Sequence, residues 1–320
     1  MKIALIVFAV VVGLAIAVEV GLRAIVGFGN PPIYLPDDKI GYRLAPNQGV
    51  RRFGNRMEIN EYSMRSPAIT PVVPENTWRV LLLGDSVANG GWWTDQDDTI
   101  SALMTQELKS ELVSESGSAL ADVEVYNASA NSWGPRNELA YLQRFGMFGA
   151  QVLVLTINTD DLFGRMPASL VVGRDRNYPA RKPPFAIAEA FTRYILPAPP
   201  LPSLPEEKGD LVGKNIEAIR QIHQLARENN SKFLLAMTPL RRELGEPGPR
   251  DYEVKLRQRL QEFTQQQQIE YIDFLPQFNA VEQGDRFYRD HIHLSPKGNE
   301  FVARAIGNAL IPFFNNNKPH

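Results

Sequence analysis

The sequence predicts an α/β domain in which helices cover both faces of a five-stranded parallel sheet. From residue 78 onward, short continuous apolar runs alternate with segments of helical spacing. Each apolar run is too short for a helix and lacks the in-out alternation of a half-exposed strand, as expected for strands buried on both sides. The 320 residues suffice for one large α/β domain or two small ones with a substantial core.

The elements follow in chain order. Residues 3–18 carry no polar side chain and sit behind Lys2, a length between the apolar stretch of a signal peptide and a full membrane span. Ala15-Ile16-Ala17 has the small residues of a cleavage site, whereas the apolar character resuming at Ile25, Val26 and Phe28 favours an uncleaved anchor. Residues 1–29 are therefore read as signal anchor or signal peptide, and a buried core helix is the plainer alternative. By the positive-inside rule either targeting segment sends the rest of the chain out of the cytoplasm. Residues 30–77 read as an irregular lead-in with short strands at most. Strands are expected at 79–84, 123–126, 151–157, 232–237 and 269–274, and helices at 99–113, 137–148, 211–228, 252–266 and 296–313. Nine prolines between Phe163 and Glu206 interrupt the rhythm, and so long an insertion is often a lid or binding loop, or else a linker. A polar tail, 315–320, ends the chain.

Composition excludes several chemistries. Thirty-four basic and thirty-six acidic residues give a net charge of −2 without a long basic run, which argues against a nucleic-acid partner. With no cysteine, a thiolate nucleophile, a disulfide framework and an iron–sulfur cluster are impossible. The four histidines (His223, His291, His293, His320) make a histidine-rich metal site improbable. Asp95, Asp97 and Asp98 read better as helix-start charges than as metal ligands.

Two motifs carry chemistry. Gly84-Asp85-Ser86 ends the first strand, on the carboxyl edge where open α/β sheets place their sites. An Asp/Ser helix cap explains the same residues without chemistry. Asp290-His291-Ile292-His293 precedes Ser295-Pro296, an N-cap followed by proline at the first helical position. A tight turn there lets Asp290 hold one imidazole nitrogen of His293 while the other faces a serine hydroxyl, which is a weak nucleophile until a base takes its proton. His291 competes for the role of base; His223 lies beside an apolar helix stripe and His320 ends the polar tail.

Together these motifs resemble the SGNH (GDSL) hydrolase superfamily over roughly residues 78–310. RVLLLGDSVANGG is similar to its first block, with Ser86 as nucleophile, and DHIHLSPKGNEFVA to its last, with Asp290 and His293 completing the triad. VEVYNASANSWGP is similar to the block whose backbone N–H serves the oxyanion hole, here Ser132 or Gly134, with Ser86 supplying a further N–H. The next block normally reads Gly-x-Asn-Asp; here Asn158-Thr159-Asp160-Asp161 departs from it, and the oxyanion donor falls on Asn158, Thr159 or Asp160 according to register. A carboxylate there would repel an oxyanion, which favours Asn158. The resemblance implies a three-layer α/β/α, flavodoxin-like fold over residues 78–314 including the 163–206 insertion, and a serine esterase needing neither metal nor organic cofactor. The lead-in GYRLAPNQ…RFGNRMEINEYSMRS resembles the segment ahead of the core in membrane-anchored envelope relatives.

The expected substrate is an ester on a glycan or lipid. Trp92, Trp93 and Trp133 follow the first two blocks, where flat rings suit a sugar face or an acyl chain, or simply roof the core. Two rival readings stand beside the esterase. An O-acetyltransferase acting on envelope polysaccharide would need a separate membrane protein to deliver the acyl donor, and a catalytically idle relative would bind glycan in the same cleft.

Overall fold

The computed structural model describes residues 1–113, 120–201 and 206–315; His320 and most of the polar tail lie outside them. Helix α1 (Lys2–Gly21) runs into a wider turn at Leu22–Val26. These 25 residues have a mean hydropathy of 2.9 in their most apolar window, none of which is buried, and form one helix long and apolar enough to cross a membrane. The lead-in is more ordered than its sequence indicates. It forms two antiparallel hairpins, β1 (Tyr34–Asp37) with β2 (Gly41–Leu44) and β3 (Gln48–Arg52) with β4 (Asn55–Ile59).

The central domain follows as β5 (Thr77–Gly84), α2 (Ser86–Asn89), α3 (Ile100–Leu108), β6 (Asp122–Ser129), α4 (Pro135–Phe145) and β7 (Val152–Asn158). After the insertion, which holds α5 (Ala186–Tyr194), come α6 (Leu211–Glu228), β8 (Lys232–Thr238), α7 (Asp251–Gln267), β9 (Glu270–Asp273), α8 (Phe274–Ala280) and α9 (Pro296–Asn315). The five strands pair in parallel in the order β6-β5-β7-β8-β9. This is the flavodoxin-like order. The chain reverses direction across the sheet between β5 and β7, so a crevice opens at their carboxyl ends.

Successive side chains of a strand point to opposite faces, and β5 shows why its run is apolar throughout. Val80 and Leu82 enter a core with α3, α8 and α9, through Met104, Phe274 and Ile306. Leu81 and Leu83 enter the other core, with α4, α6 and α7, through Leu142, Ile219 and Leu260. The lead-in hairpins extend this second core with Tyr34, Leu44, Met57 and Ile59.

The described part of the proline-rich insertion is ordered against the lead-in. Tyr178 meets Tyr34 and Tyr42 at ring distances of 5.0 and 5.1 Å, and the Tyr34 N–H donates to Pro179. Glu189 of α5 accepts from the Gly29 N–H and forms a buried ion pair with Arg52.

Burial pushes up the pKa of several acids, Asp85, Asp161 and Glu138 among them. Glu138 of α4 is fully buried, and neither carboxyl oxygen has a hydrogen-bond partner among the described residues. Burial, and then the charge of Asp85, push its pKa well above the usual carboxylate range. Below the unfolded pKa both states are protonated and nothing is lost. Above it the unfolded chain ionises while the folded one does not, so stability falls with rising pH at up to about 1.4 kcal/mol per unit until the folded pKa is reached. Glu138→Gln should remove this slope and raise neutral-pH stability. Urea unfolding of both proteins from pH 4 to pH 8 checks it; parallel curves would refute the buried neutral acid.

Candidate active site

The first strand places Ser86. Asp85 ends the strand turn and caps α2, its Oδ1 accepting from the Val87 N–H at 2.9 Å, so Ser86 becomes the first residue of a helix at the carboxyl end of β5. Glycine is needed at 84 because a Cβ there would stand 2.6 Å from the Thr156 carbonyl oxygen and 2.8 Å from the Ala88 Cβ. A four-residue helix cannot hold itself in water. Here Asn127 donates to the Ala88 carbonyl at 2.7 Å and Asn89 to the Ser129 carbonyl at 3.1 Å, stitching α2 to β6.

The other side is set by the turn before α9. Asp290 Oδ1 accepts from the N–H groups of Ile292 and His293 at 3.0 and 2.9 Å, and Ser295 caps α9 by accepting from the Gly298 N–H. The remaining oxygen, Oδ2, lies 2.9 Å from His293 Nδ1, and His293 Nε2 lies 3.0 Å from Ser86 Oγ. Burial acts to raise the Asp290 pKa, but the two N–H donors and the imidazole outweigh it and hold the carboxyl at about 2. A permanently charged carboxylate, an imidazole and a hydroxyl thus stand in series across 207 residues of sequence. Such a series can move a proton off the hydroxyl and stabilise the imidazolium that results.

His291 does not line the cleft over Ser86: its side chain is 83% exposed with Nδ1 3.9 Å from Asp290 Oδ1, and its carbonyl accepts from the Arg241 N–H. His223 stacks on Phe233 far along α6, and burial lowers its pKa. Asp95 and Asp97 pair with Arg56, and Asp95 caps the short turn at Gln96–Asp98. No cluster of three or more His, Asp or Glu able to hold a metal occurs among the described residues.

A cleft of about 280 Å³ opens over Ser86 and His293. Trp92 and Trp93 line it, and the Trp93 ring sits 4.5 Å from the His293 ring. Arg289 lies over both indoles, at 5.6 and 4.9 Å. Trp133 does not line the cleft with them and takes the alternative role of packing on the core. It is buried beneath the cleft, its indole N–H donating to the Tyr42 carbonyl, and packs on Tyr141 as core.

The blocks expected to hold an oxyanion divide in the same way. Ser132 lines the cleft at φ 57°, the left-handed region that favours glycine, and its hydroxyl accepts from the Tyr178 hydroxyl at 2.8 Å. Gly134 is the N-cap of α4, and its N–H is taken by Asn137 Oδ1. The Asn158 amide donates to Asp85 Oδ2 at 2.6 Å and its oxygen accepts from the Asp160 N–H. Thr159 is also used, accepting from Arg257, and none of residues 158–160 lines the cleft.

Several structural residues of the site are unreadable in the sequence. Arg65 of the lead-in is fully buried and donates to the carbonyls of Asn89, Gly91, Thr94 and Arg56, clamping the loop that carries Trp92 and Trp93. Burial lowers its pKa to about 10, which still leaves it charged at neutral pH. Tyr178, from the insertion, joins Ser132 in one wall of the cleft. The nearest sequence signals are a lone arginine in MRS and a lone tyrosine among prolines, and neither has a spacing that points to the site.

The model of the GDSL-like lipase/acylhydrolase family matches residues 82–301. Among solved structures, the acetyl xylan esterase AlAXEase is similar at 16% identity, covering 73% of this chain and 100% of its own, with a TM-score of 0.48. A catalytic mutant of Axe2, an acetylxylan esterase from Geobacillus stearothermophilus, aligns at 12% identity over 76% of this chain and 97% of its own, with a TM-score of 0.48. The lipase/acylhydrolase from Enterococcus faecalis aligns at 14% identity over 73% and 95%, with a TM-score of 0.43. No curated protein matches the chain.

Proposed function

Because the chain belongs to the GDSL-like lipase/acylhydrolase family, we propose that it is a membrane-anchored, extracytoplasmic serine esterase acting through Ser86, His293 and Asp290. The observation that carries this reading is the unbroken series from Asp290 Oδ2 through the imidazole to Ser86 Oγ, at 2.9 and 3.0 Å. His293 Nε2 takes the proton of the Ser86 hydroxyl as Oγ attacks the ester carbonyl. His293 then returns it to the departing alcohol, leaving an acyl group on Ser86. Water, activated by the same nitrogen, releases the acid.

The negative oxygen is held by the backbone N–H groups of Ser86 and Ser132. Ser132 is favoured because it lines the cleft, whereas the Gly134 N–H is taken by Asn137 and Asn158 does not line the cleft. This assignment has a sharp consequence. If Asn158 only anchors Asp85, Asn158→Ala should lower stability by about 1–3 kcal/mol by stranding a buried carboxylate. It should cost less than about tenfold in kcat, whereas loss of an oxyanion donor costs about 10²–10³. Paired unfolding curves and ester kinetics separate the two roles.

Trp92 and Trp93 give the cleft flat apolar walls, which supports an ester on a glycan or lipid. Labelling of Ser86 by a fluorophosphonate, with acetyl release from aryl esters, tests the esterase. A protein that neither labels nor hydrolyses any ester would be a binding relative. Addition of a polysaccharide acceptor tests acyl transfer: esterase activity predicts free acid as product even with acceptor present.

A further inference from the structure

We propose that residues 185–201, centred on α5, lie in the headgroup region of the membrane that α1 enters, and that Arg174, Arg181 and Lys182 meet its anionic lipids. This rests on reading α1 as an anchor. Three observations carry it.

The first is a physical link between α1 and α5. Glu19, near the end of α1, accepts from the N–H groups of Ala186 and Ile187 at 2.9 and 3.0 Å. Arg23, one turn on, pairs with Glu19 and donates to the Pro184 carbonyl. The start of α5 is thus tied to the point where the chain leaves the apolar helix. If α1 is in a bilayer, α5 is at the bilayer surface.

The second is the face that α5 shows. Ala186 and Glu189 are buried against the protein, while Ile187, Phe191 and Tyr194 recur at spacings of four and three on the other side. Phe191, Tyr194 and Ile195 are 50, 64 and 67% exposed, and Phe185, Leu196 and Leu201 are exposed as well. A contiguous patch of this kind is rare on a surface that meets only water. An apolar helix face with an aromatic at its rim is what lies flat in a lipid interface.

The third is charge. Arg174, Arg181 and Lys182 border a cavity of about 970 Å³ beside α5, are exposed, and take part in no ion pair among the described residues. Asp175 and Glu189 border the same cavity, but Glu189 is already neutralised by Arg52. The surplus is positive, and basic residues next to an apolar face favour anionic headgroups.

The patch also leads to the site. Tyr194 meets Phe28 at 6.0 Å, Phe28 meets Phe53 at 6.0 Å, and Phe53 meets Trp92 at 5.2 Å, at the wall of the Ser86 cleft. Arg193 borders both the basic cavity and that cleft. A docked α5 therefore brings the cleft to the bilayer surface, where an ester on an amphiphile reaches Ser86 without entering bulk water.

The chain has no cysteine, so one Phe191→Cys substitution accepts a single environment-sensitive dye. The full chain is reconstituted in vesicles of equal parts phosphatidylglycerol and phosphatidylcholine, with Glu300→Cys on α9, across the sheet, as reference. At position 191 the dye should emit to the blue and be quenched several-fold more by doxyl lipid than at 300. Charge reversal of Arg174, Arg181 and Lys182 to glutamate, or pure phosphatidylcholine vesicles, should abolish that difference. A chain that floats with the vesicles while the two dyes behave alike overturns the proposal and spares the anchor. A 191-over-300 difference that persists undiminished in neutral vesicles overturns its anionic-lipid half, and a chain that does not float overturns the anchor and the proposal together. Soluble-ester hydrolysis, measured on the same samples, reports separately on the esterase reading.

Discussion

Ser86→Ala is expected to lower kcat/KM for any ester by about 10⁴-fold or more and to abolish fluorophosphonate labelling, while the fold and thermal stability stay close to those of the unaltered protein. The size of the loss follows from how the site is assembled. Among the described residues the Ser86 hydroxyl is the group hydrogen-bonded to His293 Nε2, and the chain contains no thiol that could replace it. Removing Oγ leaves the imidazole, Asp290 and the backbone donors in place. What remains is binding and oxyanion stabilisation of direct attack by water, which sustains only residual catalysis. Stability changes little because Ser86 holds its place through the backbone and the Asp85 cap rather than through its own side chain. A variant that loses labelling but keeps more than about a tenth of its hydrolysis would place the nucleophile elsewhere.

The parts of the fold that were legible beforehand are those whose signal is local. The runs of β5, β7 and β8 are apolar throughout because helices cover both faces, and the structure starts and ends those strands within two residues of the expected limits. Where a boundary moved, a side chain explains it. Strand β9 stops at Asp273 because that carboxylate caps α8, accepting from the Leu275 N–H. Helix α4 begins at Pro135, two residues early, because proline suits the first helical turn. Strand β6 runs on through Asn127 to Ser129, polar residues whose partners lie on α2 and in the lead-in.

What was not legible depends on contacts across the chain. The lead-in hairpins are specified by Tyr178 and Glu189, more than a hundred residues away, which no local pattern could reveal. Trp133 follows a site block yet turns into the core, since only the fold determines that its indole meets the Tyr42 carbonyl. Ser132 lines the cleft, the Gly134 N–H goes to Asn137, and the Asn158 amide meets Asp85, contacts that no local pattern writes.

Asp290→Asn is the substitution that asks most of the geometry, and it should cost about 10⁴-fold in kcat at neutral pH while leaving KM nearly unchanged. Asparagine has the same size and can still accept from the Ile292 and His293 N–H groups through its oxygen, so the turn survives. Its amide then faces His293 Nδ1 where Oδ2 stood at 2.9 Å. An amide donor requires Nδ1 to be the acceptor, which leaves the proton on Nε2, toward Ser86. In that tautomer His293 cannot take the hydroxyl proton, and no carboxylate stabilises the imidazolium. Asp290 is held at about 2, so the native enzyme should keep this carboxylate ionised over the whole range in which an ester can be assayed. Its loss should therefore appear as a fall in kcat at every neutral and mildly acidic pH, not as a shifted optimum. Asp290→Ala adds a second comparison: with no side chain to impose the wrong tautomer, it should be no worse than Asp290→Asn. Were the asparagine variant within tenfold of the native rate, the role of Asp290 in fixing the His293 tautomer and stabilising its imidazolium would have to be abandoned.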